Sequence, residues 1–325
     1  MKAWTWSVPE AVFWLVPVAC YFLFPGYLVL GSQVLITGLF ALSLDLILGY
    51  AGIVSLGHAA FFGLGAYTAG LLAARLGWHE PISALAISAL VAATGGFVSS
   101  FLVVRGGDLT RLMVTLGIGL LLYEAANKAA FLTGGVDGLS GVDPGKLLGW
   151  RSFDLAGHTA YWYSLAVLFI VFALARRLVR SPFGLSLRGI REGRPRMPAL
   201  GTPVRWRLVA VYTVAAGIAG IAGALLAQTT QFVGLETLGF NRSAELVIML
   251  VLGGTGRLYG ALIGAAIFMV VQDYLSGVNP VYWQFWIGLL LVAMVLFARG
   301  GILDAMERFA RPRRDGSDLR RGHHT

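Results

Sequence analysis

The sequence predicts an all-α, polytopic membrane protein of about ten transmembrane helices, and three observations carry that expectation. Charged residues make up only 13% of the 325-residue chain. Soluble domains carry roughly 25%, so too little charge exists to coat a water-facing surface. Apolar runs close to the ~20 residues that cross a bilayer recur along the chain. The basic residues behind the net charge of +9 cluster between those runs and in the C-terminal tail. That clustering reads as membrane topology rather than as a nucleic-acid surface, so no nucleic-acid partner is expected.

Lipid offers no hydrogen-bond partners to the backbone, so the apolar runs read as helices. In order they cover 9–24, 28–49, 59–76, 81–103, 111–132, 160–178, 207–228, 243–253, 260–276 and 281–298, the first and eighth being short. The first run is followed by a second with no evident small-residue cleavage site, so it reads as a retained span. The single cysteine, Cys20, lies within it, and one thiol cannot form an internal disulfide.

Orientation follows from lysine and arginine in the connecting segments. Segment 176–207 carries nine: Arg176, Arg177, Arg180, Arg188, Arg191, Arg194, Arg196, Arg205 and Arg207. Segment 133–159 carries two, Lys146 and Arg151, and the tail from Arg299 carries seven arginines. The expected layout is a cytoplasmic N-terminus (1–8), a transmembrane domain (9–298) and a basic cytoplasmic tail (299–325). Within the domain, 133–159 is an external loop and 179–206 a cytoplasmic one. The parity works only if 243–276 is two helices broken at Gly253–Gly260. Ten spans with the large basic loop after the sixth suggest an inverted repeat of five plus five helices, with a substrate route at the interface of the halves.

Three segments carry the functional expectation. From Gly49 to Gly63, glycines surround Ser55 and His58. Glycine-rich backbone at membrane depth can leave helical geometry if it lines a cavity, which makes Gly52, Ser55, Gly57 and His58 pathway candidates. From Gly253 to Gly260, the glycines Gly253, Gly254 and Gly256 break the chain between spans, with Arg257 near the cytoplasmic face. The stretch from Ser181 to Gly201 mixes charge with apolar residues and reads as a short helix that docks on a partner, with Leu187, Ile190 and Leu200 as apolar anchors. Ionisable residues within spans are functional candidates because a charge in hydrocarbon is costly. Asp45 and Glu245 read as pathway residues, and Glu124 with Lys128, spaced i,i+4, as a structural pair.

Several chemistries lack their residues. No GxxxxGK[ST] occurs, so any ATP must be bound by another subunit. His58, His79, His158, His323 and His324 show no metal spacing, and no GxSxG occurs. No catalytic constellation, cofactor or metal site is expected.

These motifs resemble a known family. Leu48 to Gly52, Ser55 to Gly63 and Gly65–Ala66–Tyr67 are similar to the signature of branched-chain amino-acid ABC permeases. Thr133 to Leu139 resembles the external loop of the longer, LivM-type subunit. Ser181–Pro182–Phe183–Gly184, Arg188, Ile190–Arg191–Glu192 and Ala199–Leu200–Gly201 resemble its coupling loop. Ala219 to Leu225 and Leu252–Gly253–Gly254, with Gly256, Gly260 and Gly264, resemble its later spans. The resemblance implies an inner-membrane subunit with the fold of the larger, vitamin B12-type importers. It also implies a second, LivH-like permease subunit, two LivG- and LivF-like ATPases, a periplasmic binding protein and surrounding lipid as partners. Leu187, Arg188, Ile190, Arg191, Glu192, Leu200 and Gly201 would couple to the ATPases.

Two departures modify that expectation. Gly193–Arg194–Pro195–Arg196–Met197–Pro198 puts two prolines where the family is helix-friendly, so the coupling helix should end near Glu192 or restart at Pro198. Asp45 replaces a neutral polar residue, which opens the substrate to cationic or hydrogen-bond-donating solutes. The alternative is an ATP-independent transporter or channel for a small polar solute such as urea or an amide, with Asp45, Glu124 and Glu245 as an ion relay.

Overall fold

In a computed structural model the described residues are 8–147, 151–154, 156–280 and 282–297. The expected cytoplasmic tail from Arg299, and Lys2 near the N-terminus, lie outside them. The elements are α1 (Val8–Leu23), α2 (Leu28–Asp45, running into a π turn at Leu46–Tyr50), α3 (Ala59–Leu76), α4 (Pro81–Val103), α5 (Asp108–Lys128), α6 (Ala130–Thr133), α7 (His158–Arg180), α8 (Pro182–Gly193), α9 (Val204–Thr230), α10 (Phe240–Gly253), α11 (Leu258–Val278) and α12 (Trp283–Phe297). Among the described residues, seven helical segments are long and apolar enough to cross a membrane: Pro25–Tyr50, α3, α4, α5, α7, α9 and α11. The remaining three expected runs fall on the shorter helices α1, α10 and α12, of 16, 14 and 15 residues.

The chain is built around α2, where Leu39, Phe40, Leu42 and Leu44 are all enclosed. A helix apolar on every side has no solvent face, so it takes the centre. Helices α7, α9, α10 and α11 surround it. Helix α9 packs on both α3 and α4 through small residues. A Cβ at Gly220 would meet the Ala92 Cβ and, at 2.9 Å, the Ser88 carbonyl. Lipid-embedded helices associate through such close backbone approach rather than through a hydrophobic drive. Part-buried hydroxyls turn back onto the preceding helical turn, as Thr213 donates to the Val209 carbonyl at 2.9 Å. The outer faces carry large apolar side chains, among them Leu90, Val98, Leu121, Ile170 and Leu174.

The segment 134–157 departs from an all-helical reading. It holds a two-stranded antiparallel pairing, Lys146–Leu147 with Arg151–Ser152. Leu139 also forms an isolated antiparallel bridge with Val233. This segment and α8 sit at opposite ends of α7, whose 23 residues make a rod of about 34 Å at ~1.5 Å per residue.

Three expectations are refined. The fifth helix runs 108–128 rather than 111–132. The break between α10 and α11 falls at residues 254–257, inside the expected glycine run. Glu124 and Lys128 both lie on the exposed side of α5, and no ion pair joins them. The close carboxylate–guanidinium contacts among the described residues include Glu10 with Arg176 at 2.5 Å and with Arg180 at 3.2 Å, tying α1 to α7.

Candidate functional site

Two regions concentrate the candidate residues. The first is the extended segment 51–58 between α2 and α3. It runs through the interior, with Ile53, Ser55 and His58 all enclosed. The backbone N–H groups along it are taken up by neighbours: Ile53 donates to the Ile47 carbonyl at 2.9 Å, Leu56 to Thr115 Oγ1 at 3.3 Å, and Ala59 to Ser243 Oγ at 3.0 Å. The Ser43 hydroxyl donates to the Phe40 carbonyl at 2.6 Å and lies 2.8 Å from His58 Nε2. The His58 imidazole, held at Nε2 by Ser43, stacks on the Phe40 ring. Gly57 packs directly on the backbone of α5: a Cβ there would collide with the Thr115 carbonyl.

Gly57 also opens onto a cavity of about 640 Å³. Its walls are Leu116, Gly119 and Tyr123 of α5, the 3-10 turn Leu235–Leu238, and the start of α10 with Phe240, Asn241 and Ser243. Several lining side chains, including Leu120, Val136 and Phe240, are exposed, so the cavity is open to the outside of this chain. Its lining is mostly apolar with a few polar groups, Glu236, Asn241, Tyr123 and Ser243, the mixture of a small-molecule site.

The second region lies where α8 meets the ends of α2 and α10. Ser181 caps α8, its Oγ accepting from the Gly184 N–H at 3.4 Å, and Pro182 occupies the first turn. The helix ends at Gly193 and a 3-10 turn resumes at Pro198–Leu200, as the two prolines require. Leu187 and Ile190 are 1% and 3% exposed and belong to this chain's own core, whereas Leu200 is 76% exposed. Leu185 and Leu200, not Leu187 and Ile190, are therefore the apolar side chains open to a partner. Glu192 is exposed, and Gly201 closes the 3-10 turn at φ +76°. The Arg188 guanidinium sits 5.1 Å from the Tyr50 ring centroid. The Arg191 side chain donates to the Gly49 carbonyl and packs on Gly52, which takes φ +69°. Asp45, fully enclosed, accepts from the Gly256 N–H at 2.7 Å through Oδ1.

The expected residues thus separate into two groups. Asp45, Gly52, Gly256 and Arg191 converge, while of the expected pathway set only Gly57 lines the cavity. Ser55 and His58 are enclosed and do not line the cavity, Gly253 ends α10 with Gly254 after it, and Glu245 pairs with Arg242 at 3.1 Å. The walls missed by sequence reading include Leu116, Gly119, Tyr123, Glu236, Phe240 and Asn241. The small residues Thr115 and Gly119, one turn apart, were the available signal for the face that receives Gly57.

Comparison with known proteins completes the picture. The family described as branched-chain amino acid transport system, permease component, matches residues 27–295. The high-affinity branched-chain amino acid permease protein LivM of Salmonella typhimurium is 30% identical over 304 residues, covering 86% of this chain and 70% of that protein. LivM of Escherichia coli is 30% identical, covering 81% and 66%. The autoinducer 2 import permease LsrC of an Enterobacter species is also 30% identical, covering 88% and 81%. No solved structure gives a match. With most of its length matched, the chain belongs to the branched-chain amino acid transport permease family, as a multi-pass membrane permease component of the LivM type.

Proposed function

We propose that this chain is one transmembrane subunit of an ATP-binding-cassette importer that carries leucine, isoleucine, valine or a related small solute inward across the bacterial inner membrane. The observation that carries this reading is the cavity walled by α5, the 3-10 turn and α10 on one side and open on the other. A second, LivH-like permease subunit would close it and make a continuous route. ATP is bound and hydrolysed by two partner ATPases, which grip α8 and the turn to Gly201; Leu185, Leu200, Arg188 and Glu192 are exposed there for contact. A periplasmic binding protein delivers the solute to segment 133–159, at the far end of α7 from α8. The same reading gives ten crossings in a five-plus-five inverted arrangement, with both termini cytoplasmic.

The ion-relay alternative loses its residues: Asp45 is engaged by Gly256, Glu245 by Arg242, and Glu124 faces outward. The substrate class is less constrained, because the family also contains the autoinducer 2 relative. The test is uptake by proteoliposomes holding this chain, its second permease and both ATPases, with the loaded binding protein outside. Leucine uptake that needs ATP supports the reading. Uptake by this chain alone, without an ATPase, ends it. Competition of leucine uptake by valine but not by a sugar-like solute fixes the substrate class.

A further inference from the structure

We infer that Asp45 and Arg191 form an internal clasp that joins the ATPase-docking helix α8 to the α10–α11 turn, so that movement of α8 reaches the cavity through α10. This rests on the reading of α8 as the docking helix. Asp45 ends α2, 211 residues from the Gly256 N–H it accepts at 2.7 Å. Its second oxygen, Oδ2, is enclosed without a hydrogen-bond partner. A fully enclosed carboxylate is costly to retain. An apolar residue would fill that space without the cost, so its tie to the turn has a use beyond packing.

The other half of the clasp is made by α8. The π turn Leu46–Tyr50 ends α2, and carbonyls at a helix end lack intrahelical partners. The Gly49 carbonyl is one of these, and Arg191 captures it. The two halves are contiguous. A Cβ on Gly256 would lie 2.9 Å from Arg191 Nη1 and 3.0 Å from the Gly49 oxygen. A Cβ on Gly49 would strike Asp45 Oδ1 and the Gly256 backbone. Gly256 also holds φ +80°, which strains other residues. Nothing larger than glycine fits between the parts.

Beyond the clasp the linkage is stiff. A Cβ on Gly264 would come within 3.0 Å of the Gly253 Cα, so α10 and α11 are locked backbone to backbone just past the turn. From Gly253 to Phe240, α10 is a 14-residue rod of about 21 Å at ~1.5 Å per residue, and its far end, Phe240 to Ser243, is cavity wall. Asp45 and Arg191 are therefore positioning residues for transport, acting on the wall without touching the solute.

The experiment uses the complete importer in proteoliposomes, with radiolabelled leucine as probe and ATP consumed per leucine as the readout. Asp45→Ala and Arg191→Ala are each expected to raise ATP consumed per leucine about tenfold, within the range of coupling effects seen along such networks. The double variant should be no worse than either single, because one linkage is already broken. Asp45→Asn, which keeps an acceptor oxygen for Gly256, should restore most of the coupling. Spin labels at Glu192 and Asn241 supply a second measurement. In the wild type both report a nucleotide-driven shift; in Arg191→Ala only the label on α8 should move. An unchanged ATP-to-leucine ratio in Arg191→Ala, or a label at 241 that still responds, overturns the clasp. A wild-type complex without ATP-driven uptake overturns the functional reading instead, so the two failures are distinguishable.

Discussion

At the residue scale, side chains of similar chemistry have separate duties that only their surroundings reveal. Leu187 and Leu200 both belong to the α8 region, but one is core and the other surface. Leu187→Ala should cost about 2–4 kcal/mol of stability through the cavity it leaves, seen as a lower melting temperature of the detergent-solubilised protein. Leu200→Ala should melt like the wild type yet weaken ATPase binding in a pull-down. Equal melting losses for both would contradict the assignment. Asp154, outside the spans, closes the start of α7: its carboxylate accepts from the Thr159 and His158 N–H groups at 3.0 and 3.3 Å. Burial pushes its carboxyl up, but those backbone donors outweigh burial and hold it below the usual carboxylate range. A carboxylate so lowered stabilises the fold above its unfolded pKa, and the contribution disappears as pH falls through the folded value. Asp154→Ala should remove about 1 kcal/mol at neutral pH, the usual worth of a helix cap, and melting scans at successively lower pH should show the deficit shrink as acid protonates the carboxylate.

At the scale of elements, the glycine-rich segment 51–58 is a close-fitting insert rather than a flexible loop. Gly57→Ala would drive a methyl into the Thr115 carbonyl, and relieving the overlap should cost about 1–3 kcal/mol as α5 is pushed aside. Thermal melting with leucine uptake measured in parallel checks this, and a variant as stable as wild type would mean that α5 yields freely. The break between α10 and α11 was legible in the glycine run 253–260, because a tight turn and close backbone contact both require residues without side chains. The end of α8 was legible in Pro195 and Pro198. The cavity was not. Its wall sets α5 against the 3-10 turn and α10, which lie far along the chain from α5, and none carries a motif for a hollow that depends on how three elements fail to meet. Asp45 was legible as an unusual buried charge but not as a partner of Gly256, since that pairing spans most of the chain.

At the scale of the whole molecule, topology is the property most open to direct test. The natural sequence has one cysteine, Cys20, so a Cys20→Ala background is free of other thiols. In that background, cysteines placed at Leu200 and at Lys146 should report opposite sides. An impermeant maleimide added to spheroplasts should label position 146 and spare position 200, and lysis should expose position 200. Labelling of both before lysis would invert the arrangement drawn from the arginine distribution. The broad class was legible because composition and arginine placement act over hundreds of residues and tolerate local error. The number of crossings was less so, since α1, α10 and α12 are shorter than the seven long apolar segments.

The bridge between Leu139 and Val233 carries a consequence for how the segment after α6 bears on the cavity. Its two backbone hydrogen bonds, 2.8 and 3.0 Å, stitch the segment after α6 to the residue two positions before the turn that walls the cavity. A weight resting on that segment is borne by the turn, in the way a latch plate bears on the door it is screwed to. In the proposed reading, the rim of the hollow is therefore hung from the segment on which an arriving cargo carrier would settle.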